Sequence, residues 1–335
     1  MTGRFPLNAW YVAAWASEVG DALFARRLLD VPILIYRLPD GEAVAFLDMC
    51  PHRFAPLSMG RKTETGVECR YHGLHFDRNG MCDGNPSGSG YFPQGTRVRR
   101  YPLIERHRML WIWMGDAEKA DSDLVPDYGL IPEGTDLANI GNYLPVQANW
   151  MLEIDNLMDL SHVNYLHLGT LGNESRRAAE MTVTEVGSAI HARLWMPGTI
   201  GGFGPMTGRL CDQWLNMIWM APSSMILEFG AVEQGADPQQ DPRNRAFHTV
   251  TPETETTTHY FFGSGGAYAE DERERLDHFC RSQIWVFENE DNPMIKAVAE
   301  RMAGADFWSM RPAVLPNDKA AIRVRRRIER MCRED

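Results

Sequence analysis

Two short knots of metal-ligating side chains, Cys50-Pro-His52 and Cys69-Arg-Tyr-His72, are separated by residues 53–68, and they constrain this chain more than any other feature. Two thiolates plus two imidazoles can hold zinc or an iron–sulfur cluster. Structural zinc usually groups cysteine with cysteine and histidine with histidine. Here each knot is mixed. That suits a [2Fe–2S] cluster with one iron on both cysteines and the other on both histidines, the two loops clamping it from two sides. Zinc, or four residues placed without a common purpose, are the alternatives. Pro51 and Pro56 stiffen the first loop, and Gly73 is expected to let backbone approach the metal closely. Neutral imidazole in place of thiolate raises the reduction potential, so such a cluster accepts electrons from a ferredoxin or reductase.

The other sequence properties narrow the class. A chain of 335 residues implies two domains, and 44% hydrophobic with 24% charged residues is enough for a sizeable core. The net charge of −11 disfavours a nucleic-acid partner. The basic run Arg323, Arg325, Arg326, Arg327 and Arg330 is interleaved with Val324, Ile328 and Met331, which reads as an amphipathic terminal helix with a solvated basic face. A docking surface for an acidic partner is the other reading. Six cysteines form no dense framework, so a reducing, cytoplasmic compartment is expected. AWYVAAWA (9–16) reads as buried structure near the first strand and not as a signal peptide. No apolar run reaches the roughly 18 residues a membrane span needs, so no membrane association is expected.

Residues 20–115 break into short strands, VPILIYRL (31–38), AVAFLDMC (43–50), LHFD (74–77) and MLWIWMG (109–115), punctuated by Gly, Pro, Asp and Asn. The polar, proline-rich stretch 116–135 holds the boundary, giving an all-β domain over 1–118 and a second domain over 119–335. In the second, 149–166 reads as a helix. Strands follow at 188–196, 224–232, 245–251 and 258–264, and a further helix covers 269–287, with Pro293 breaking or restarting it and Asn292 as its cap. The expected class is α+β, an all-β domain followed by an antiparallel sheet packed on helices, of helix-grip type.

DNLMDLSHVNYLH (155–167) carries a second constellation. On a continuous helix Asp159 and His162 share a face, and His167 follows near its end. Two imidazoles and a distant carboxylate make the facial triad of mononuclear iron(II) sites, with positions left open for O2. Asp291, in FENEDNP, is the expected carboxylate, with Glu288 and Glu290 as acidic neighbours. A pair of structural histidines is the plain alternative. Glu228 in MILEFGAV and His248 in RAFHTVT are polar residues in apolar strands; each either lines a substrate pocket or lies on an outer sheet face.

C-P-H…C-x-Y-H-G-L resembles the Rieske motif of the Rieske non-haem iron oxygenases. The N-x-x-D-x-x-H-x4-H pattern from Asn156, with the late Glu-Asp, is similar to their catalytic domain, so the resemblance spans nearly the whole chain. It implies a [2Fe–2S] cluster on Cys50, His52, Cys69 and His72, and a mononuclear Fe(II) on His162, His167 and Asp291. It further implies a head-to-tail homotrimer in which His72 of one copy meets Asp159 of the next, with Asn156 and Asp159 as catalytic residues. NAWYVAAW, CPHRFAPLS, DNLMDLSH and TPETE-x-x-x-HYFFG are similar to the O-demethylase branch. The expected reaction is hydroxylation of an aryl methyl ether, such as a methoxybenzoate, at its methyl carbon, giving a phenol and formaldehyde. The expected substrate is a small and anionic aromatic. Methyl hydroxylation of an arene such as toluenesulfonate, ring dihydroxylation, and an electron carrier fused to a ligand-binding domain are the alternatives. No G-x-G-x-x-G follows a strand, so electrons are expected from a separate NAD(P)H-dependent reductase or ferredoxin.

Overall fold

In the computed structural model, which describes residues 4–128, 141–172, 179–201, 206–237, 244–265 and 281–334, MLWIWM (Met109–Met114) is buried at every position. It pairs antiparallel with Ala9–Trp15 on one side and Leu103–Arg106 on the other. A strand covered on both faces needs a continuous apolar run, which explains why neither segment alternates. Residues 9–15 are therefore themselves a strand. Two four-stranded antiparallel sheets complete this unit. One joins Phe24–Leu28, Val31–Arg37, Ala43–Leu47 and Arg100–Tyr101; the other joins Arg61–Lys62, Gly66–Glu68, His75–Asp77 and Cys82–Gly84. Their shared core includes Leu34, Tyr36, Phe46, Val67 and Phe76, and both Cys50 and Cys69 pack into it.

The chain divides into units at Val125/Pro126, later than the expected 118/119. The reason is local. Trp10 Nε1 donates to the carbonyl of Asp121 at 2.7 Å, Arg106 donates to that of Ser122 at 3.0 Å, and Val125 is buried. These ties hold residues 119–125 to the first unit.

The second unit is built on a seven-stranded antiparallel sheet. Its order is Gly141–Val146, Thr258–Gly265, Asn244–Pro252, Ser224–Glu233, Leu210–Met220, Ala189–Ile200, Glu180–Val186. From Glu180 onward each strand neighbours the next in sequence, and the first strand closes the far edge. The strands expected from alternation lie in place, and three more join them, at 141–146, 180–186 and 210–220. Helices Trp150–Met158 and Lys319–Glu334 pack on one another and against the sheet.

Two helical expectations change. The helix expected over 149–166 begins under an Asn149 cap, whose side chain accepts from the Met151 N–H at 2.9 Å, but it ends at Met158. Asp159 takes non-helical dihedrals, and its carboxylate accepts from the Ser161 N–H at 2.9 Å and from the Ser161 hydroxyl. Such side-chain bonds offer the backbone an alternative to the helix. His162 lies in a separate single turn, His162–Asn164, so it does not share a helical face with Asp159. In the second case, residues 269–280 lie outside the described residues. From 281 the chain is helical and passes through a π-turn, Phe287–Asp291, straight into the helix Asn292–Met302. The α-helix restarts there, with Pro293 in its first turn after the π-turn, and neither Asn292 nor any other side chain caps it.

Lys319–Glu334 is the expected amphipathic helix, but Arg325 is buried and not solvated. Its guanidinium grips both oxygens of Asp155, with Nε at 2.9 and 2.7 Å, and lies 4.0 Å over the Phe307 ring.

Candidate active site

The two cysteine–histidine knots fold alike. The Cys50 N–H donates to the Ala55 carbonyl at 2.9 Å, and the Phe54 N–H donates back to Cys50 at 2.8 Å. The Cys69 N–H donates to Leu74 at 2.8 Å, and the Gly73 N–H donates back to Cys69 at 2.9 Å. The fifth residue of each knot, Phe54 or Gly73, has positive φ, 60° and 74°. At Gly73 a Cβ would stand 2.5 Å from the Pro86 ring, so both Pro86 and the positive φ favour glycine there. Asp48 braces the first knot, accepting from the Ser58 N–H and hydroxyl at 2.7 and 2.6 Å.

This repeat buries Cys50 and Cys69 side by side and leaves His52 and His72 exposed, their rings 4.6 Å apart. Burial, with Cys69 alongside, pushes the Cys50 thiol up to about 11. A coordinated metal reverses that preference, because a ligating thiol is deprotonated outright. Two buried thiols and two surface imidazoles fit a two-iron cluster. Among the described residues Cys50, Cys69, Cys82, Cys211 and Cys332 form no disulfide, and Cys280 lies outside them.

In the second unit His162, His167 and Asp291 converge. The two Nε2 atoms are 3.1 Å apart and lie 3.5 and 3.3 Å from Asp291 Oδ1. The hydrogen bonds at the far side of each ring fix the tautomers. His162 Nδ1 meets the Asp159 carbonyl, which can only accept, and His167 Nδ1 meets Glu290 Oε2 at 2.6 Å. Both rings therefore carry their proton on Nδ1 and turn Nε2 lone pairs toward one another. Asn156 Nδ2 donates to Asp291 Oδ1 at 2.8 Å, while buried Asp291 Oδ2 has no hydrogen-bond partner. Two converging lone pairs and an orphaned carboxylate oxygen are the donor set of a mononuclear non-haem iron.

The local electrostatics favour an ionised acid. Burial pushes Asp291 up, but the neighbouring His162 and His167 outweigh it and carry the carboxyl well below its usual range. His167 is raised, because Asp291 and Glu290 overcome the effect of burial. Glu290 entered the sequence reading only as an acidic neighbour. The π-turn brings it inward beside Asp291, and no helical or strand period signals that. Glu153 was missed as well. It lies on the buried stripe Trp150, Glu153, Ile154, Leu157 of its helix, where a charged residue is a legible anomaly. Burial, then the charge of Asp291, pushes Glu153 up to about 8.

A cavity of about 550 Å3 opens onto the triad, within the usual range for small-molecule sites. Leu215, Met217, Leu227, Phe229 and Phe287 form apolar wall, and His248 and Gln283 add polar groups. His248 is 2% exposed. Its Nδ1 shares a hydrogen bond with the Tyr260 hydroxyl at 2.7 Å, and its Nε2 has no partner. Burial lowers its pKa to about 3 against the pull of Asp291, so the ring is neutral. Glu228 is not part of the lining. Leu227 and Phe229 face the cavity, so by the two-residue strand period Glu228 faces the other way. There it accepts from Asn216 at 3.2 Å and pairs with Arg245 at 3.2 Å.

This combination of a two-iron Rieske module and a non-haem iron domain defines a class. The chain belongs to the Rieske-type oxygenases: residues 9–102 match the Rieske [2Fe-2S] domain family, and residues 146–334 match the Vanillate O-demethylase oxygenase C-terminal domain family. It is an oxidoreductase whose cofactors are a Rieske [2Fe–2S] cluster and a mononuclear iron. Among its relatives, the oxygenase component of dicamba O-demethylase from Stenotrophomonas maltophilia is 37% identical over 333 residues, 98% of either chain. The oxygenase component of chloroacetanilide N-alkylformylase from Rhizorhabdus wittichii is 37% identical over 332 residues, 97% of this chain and 95% of that one. The fold matches dicamba monooxygenase bound to 3,6-dichlorosalicylic acid with a TM-score of 0.90 at 37% identity, covering 98% of this chain and 97% of that one. It also matches the same enzyme with non-heme iron and dicamba, with a TM-score of 0.83 at 36% identity and coverage of 100% and 98%.

Proposed function

We propose that this chain is a terminal oxygenase that removes the methyl group of an aromatic methyl ether as formaldehyde. The observation that carries the reading is the convergence of two imidazole lone pairs and the Asp291 carboxylate at an apolar cavity, in a chain related along its whole length to an O-demethylase component. His162, His167 and Asp291 would hold the iron, and Cys50, His52, Cys69 and His72 the cluster; when bound, these would supply the activation of O2 and the electrons for it.

The chain's own residues do the rest. Asn156 fixes the Asp291 carboxylate, Glu290 fixes His167, and the Asp159 carbonyl fixes His162, so three ligand atoms are aimed before anything binds. The apolar wall excludes water from the reacting carbon, and His248 Nε2 orients the substrate through a hydrogen bond. In the net reaction one methyl C–H becomes C–OH, and the resulting hemiacetal collapses to a phenol and formaldehyde. The second oxygen atom leaves as water, with two electrons and two protons. The electrons come from an NAD(P)H-dependent reductase or a ferredoxin.

A head-to-tail homotrimer completes the reading, with exposed His72 of one copy meeting the Asp159 carboxylate of the next. The His162 imidazole rests on the Asp159 carbonyl and not on its carboxylate, so the carboxylate, held by Ser161, is the group left to meet His72. The sparse cysteines of the sequence, with no dense disulfide framework, support a cytoplasmic setting in this reading. The equal identity to an N-alkylformylase component supports a second reading, oxidation of an N-linked alkyl group. Both hydroxylate a carbon beside a heteroatom. Incubating the iron-loaded enzyme and a surrogate reductase with paired O-methyl and N-alkyl anilide substrates distinguishes them. The O-demethylase reading expects formaldehyde and phenol in equal amounts from the ether. Dealkylated amide with no phenol would favour the second reading.

A further inference from the structure

We infer that Tyr260 is a positioning residue that fixes the buried His248 ring as an N–H donor toward the cavity, so that the cavity favours aromatic ethers carrying an oxygen acceptor on the ring. The inference deepens the proposed function and rests on its reading of this cavity as the ether-binding site.

The sheet places the pair. His248 lies opposite Phe262 on the neighbouring strand, and Val250, two residues on, lies opposite Tyr260. His248 and Tyr260 are therefore diagonal neighbours on one face of the sheet, close enough for long side chains to meet. The Phe262 ring stacks on the Tyr260 ring with centres 4.7 Å apart, and the Phe287 ring closes against both, at 4.9 Å from Phe262 and 5.9 Å from Tyr260. The phenol so held meets His248 Nδ1 at 2.7 Å, and both residues are 2% exposed. His248 lines the cavity, and with Nδ1 taken up by Tyr260 the partnerless Nε2 is the nitrogen left for a ligand.

The direction of the Tyr260–His248 bond follows from the groups themselves. A phenol is a better donor than a neutral imidazole N–H, and an imidazole nitrogen is a better acceptor than a phenol oxygen. Burial reinforces this, because it keeps the phenol protonated and the ring neutral. Were Nδ1 the donor, the phenol proton would have to find a second acceptor among Phe262 and Phe287, which offer none. Tyr260 therefore donates to Nδ1, and a bond on one side of an imidazole sets the proton on the other, so Nε2 carries it. The iron does not reverse this polarity. His248 is not one of the three residues whose ligand atoms converge for the metal, and a protonated nitrogen has no lone pair to offer it. The N–H holds a carbonyl, carboxylate or sulfonate oxygen, whether that oxygen is neutral or charged. A group that can only donate would face another proton.

The test measures binding of three probes to the iron-loaded full-length enzyme by calorimetry, with formaldehyde release followed in parallel. 3-Methoxyacetophenone carries an acceptor, 3-methoxyaniline offers N–H donors, and 3-isopropenylanisole matches the ketone in shape without either. The ketone should bind about tenfold more tightly than the aniline. Tyr260→Phe keeps the ring packing but frees the His248 proton to sit on either nitrogen. It should bring ketone and aniline to within about twofold of one another and shift the isopropenyl probe by less than about twofold. His248→Leu should abolish the preference as well. Equal or tighter binding of the aniline to the unaltered enzyme overturns the inference, and so does a Tyr260→Phe enzyme that keeps the full preference. Equal weakening of all three probes in Tyr260→Phe, the mark of a purely structural role, overturns it too. The two readings fail separately. A ketone preference that Tyr260→Phe removes, with no formaldehyde from any probe, leaves the assignment of Tyr260 standing and removes the dealkylase reading. Formaldehyde from the probes with no ketone preference does the reverse.

Discussion

Glu290 and Asn156 do for this site what its ligands cannot do for themselves. A ligand atom must present one lone pair in one direction, and the far side of the side chain decides that direction. Removing the Glu290 carboxylate frees His167 Nδ1, so Glu290→Ala should lower iron affinity about 10- to 100-fold, read by chelator competition, with the visible spectrum of the cluster unchanged. Glu153 makes a different prediction. Its carboxyl sits at about 8 in the folded chain and near its ordinary value of 4.5 in the unfolded chain. Between those values the folded state holds the proton and the unfolded state does not. Stability is therefore full below the lower value and is lost as pH rises through the upper one. Glu153→Gln should flatten that loss, and at pH 9 it should be more stable than the parent by on the order of 2–4 kcal/mol in urea unfolding, with little difference at pH 5. The candidate ligands were nameable from the sequence because Cys, His and Asp recur there at spacings that suit metal sites. Glu290 was not, since nothing local distinguishes a solvated acid from one turned inward.

At the scale of the elements, two departures from regular structure build the catalytic site. The helix from Trp150 stops at Asp159, which lets His162 turn back over the Asp159 carbonyl. The π-turn Phe287–Asp291 brings two consecutive acids, Glu290 and Asp291, to one histidine. Such turns recur at functional sites because the extra residue re-aims the side chains. Periodicity cannot announce either, since both are places where a period fails; MLWIWMG was readable as a strand from its apolar run instead. The first unit shows the same dependence at Gly73. Gly73→Ala places a side chain at φ +74° and against Pro86, and it should abolish or bleach the cluster spectrum. Between helices, buried Arg325 pairs with the half-buried Asp155. Burial raises Asp155 to about 6, and the Arg325 charge only partly offsets it. Arg325→Ala leaves that carboxylate without its partner and should cost about 3–5 kcal/mol, seen as a lowered midpoint of thermal unfolding of the second unit. The sequence reading placed this arginine with its basic neighbours, although it falls at helical spacing on the buried stripe of Ala321, Val324 and Ile328, where Asp155 meets it.

For the whole molecule, the paired knots and the late acid were enough to read a two-domain oxygenase from sequence, and the family matches over 9–102 and 146–334 agree. The lining of the cavity was less legible. Glu228 and His248 look equivalent in their strands, and only the register of the sheet assigns one to the outer face and the other to the cavity. The central claim, that His162, His167 and Asp291 hold a catalytic iron distinct from the cluster, is tested most directly by counting metal and sulfide in Asp291→Ala beside the parent. The parent should hold the two irons and two sulfides of the cluster plus one further iron, and the variant should lose only that iron, keep the cluster spectrum and release no formaldehyde. A variant that keeps the further iron and still turns over would contradict the account.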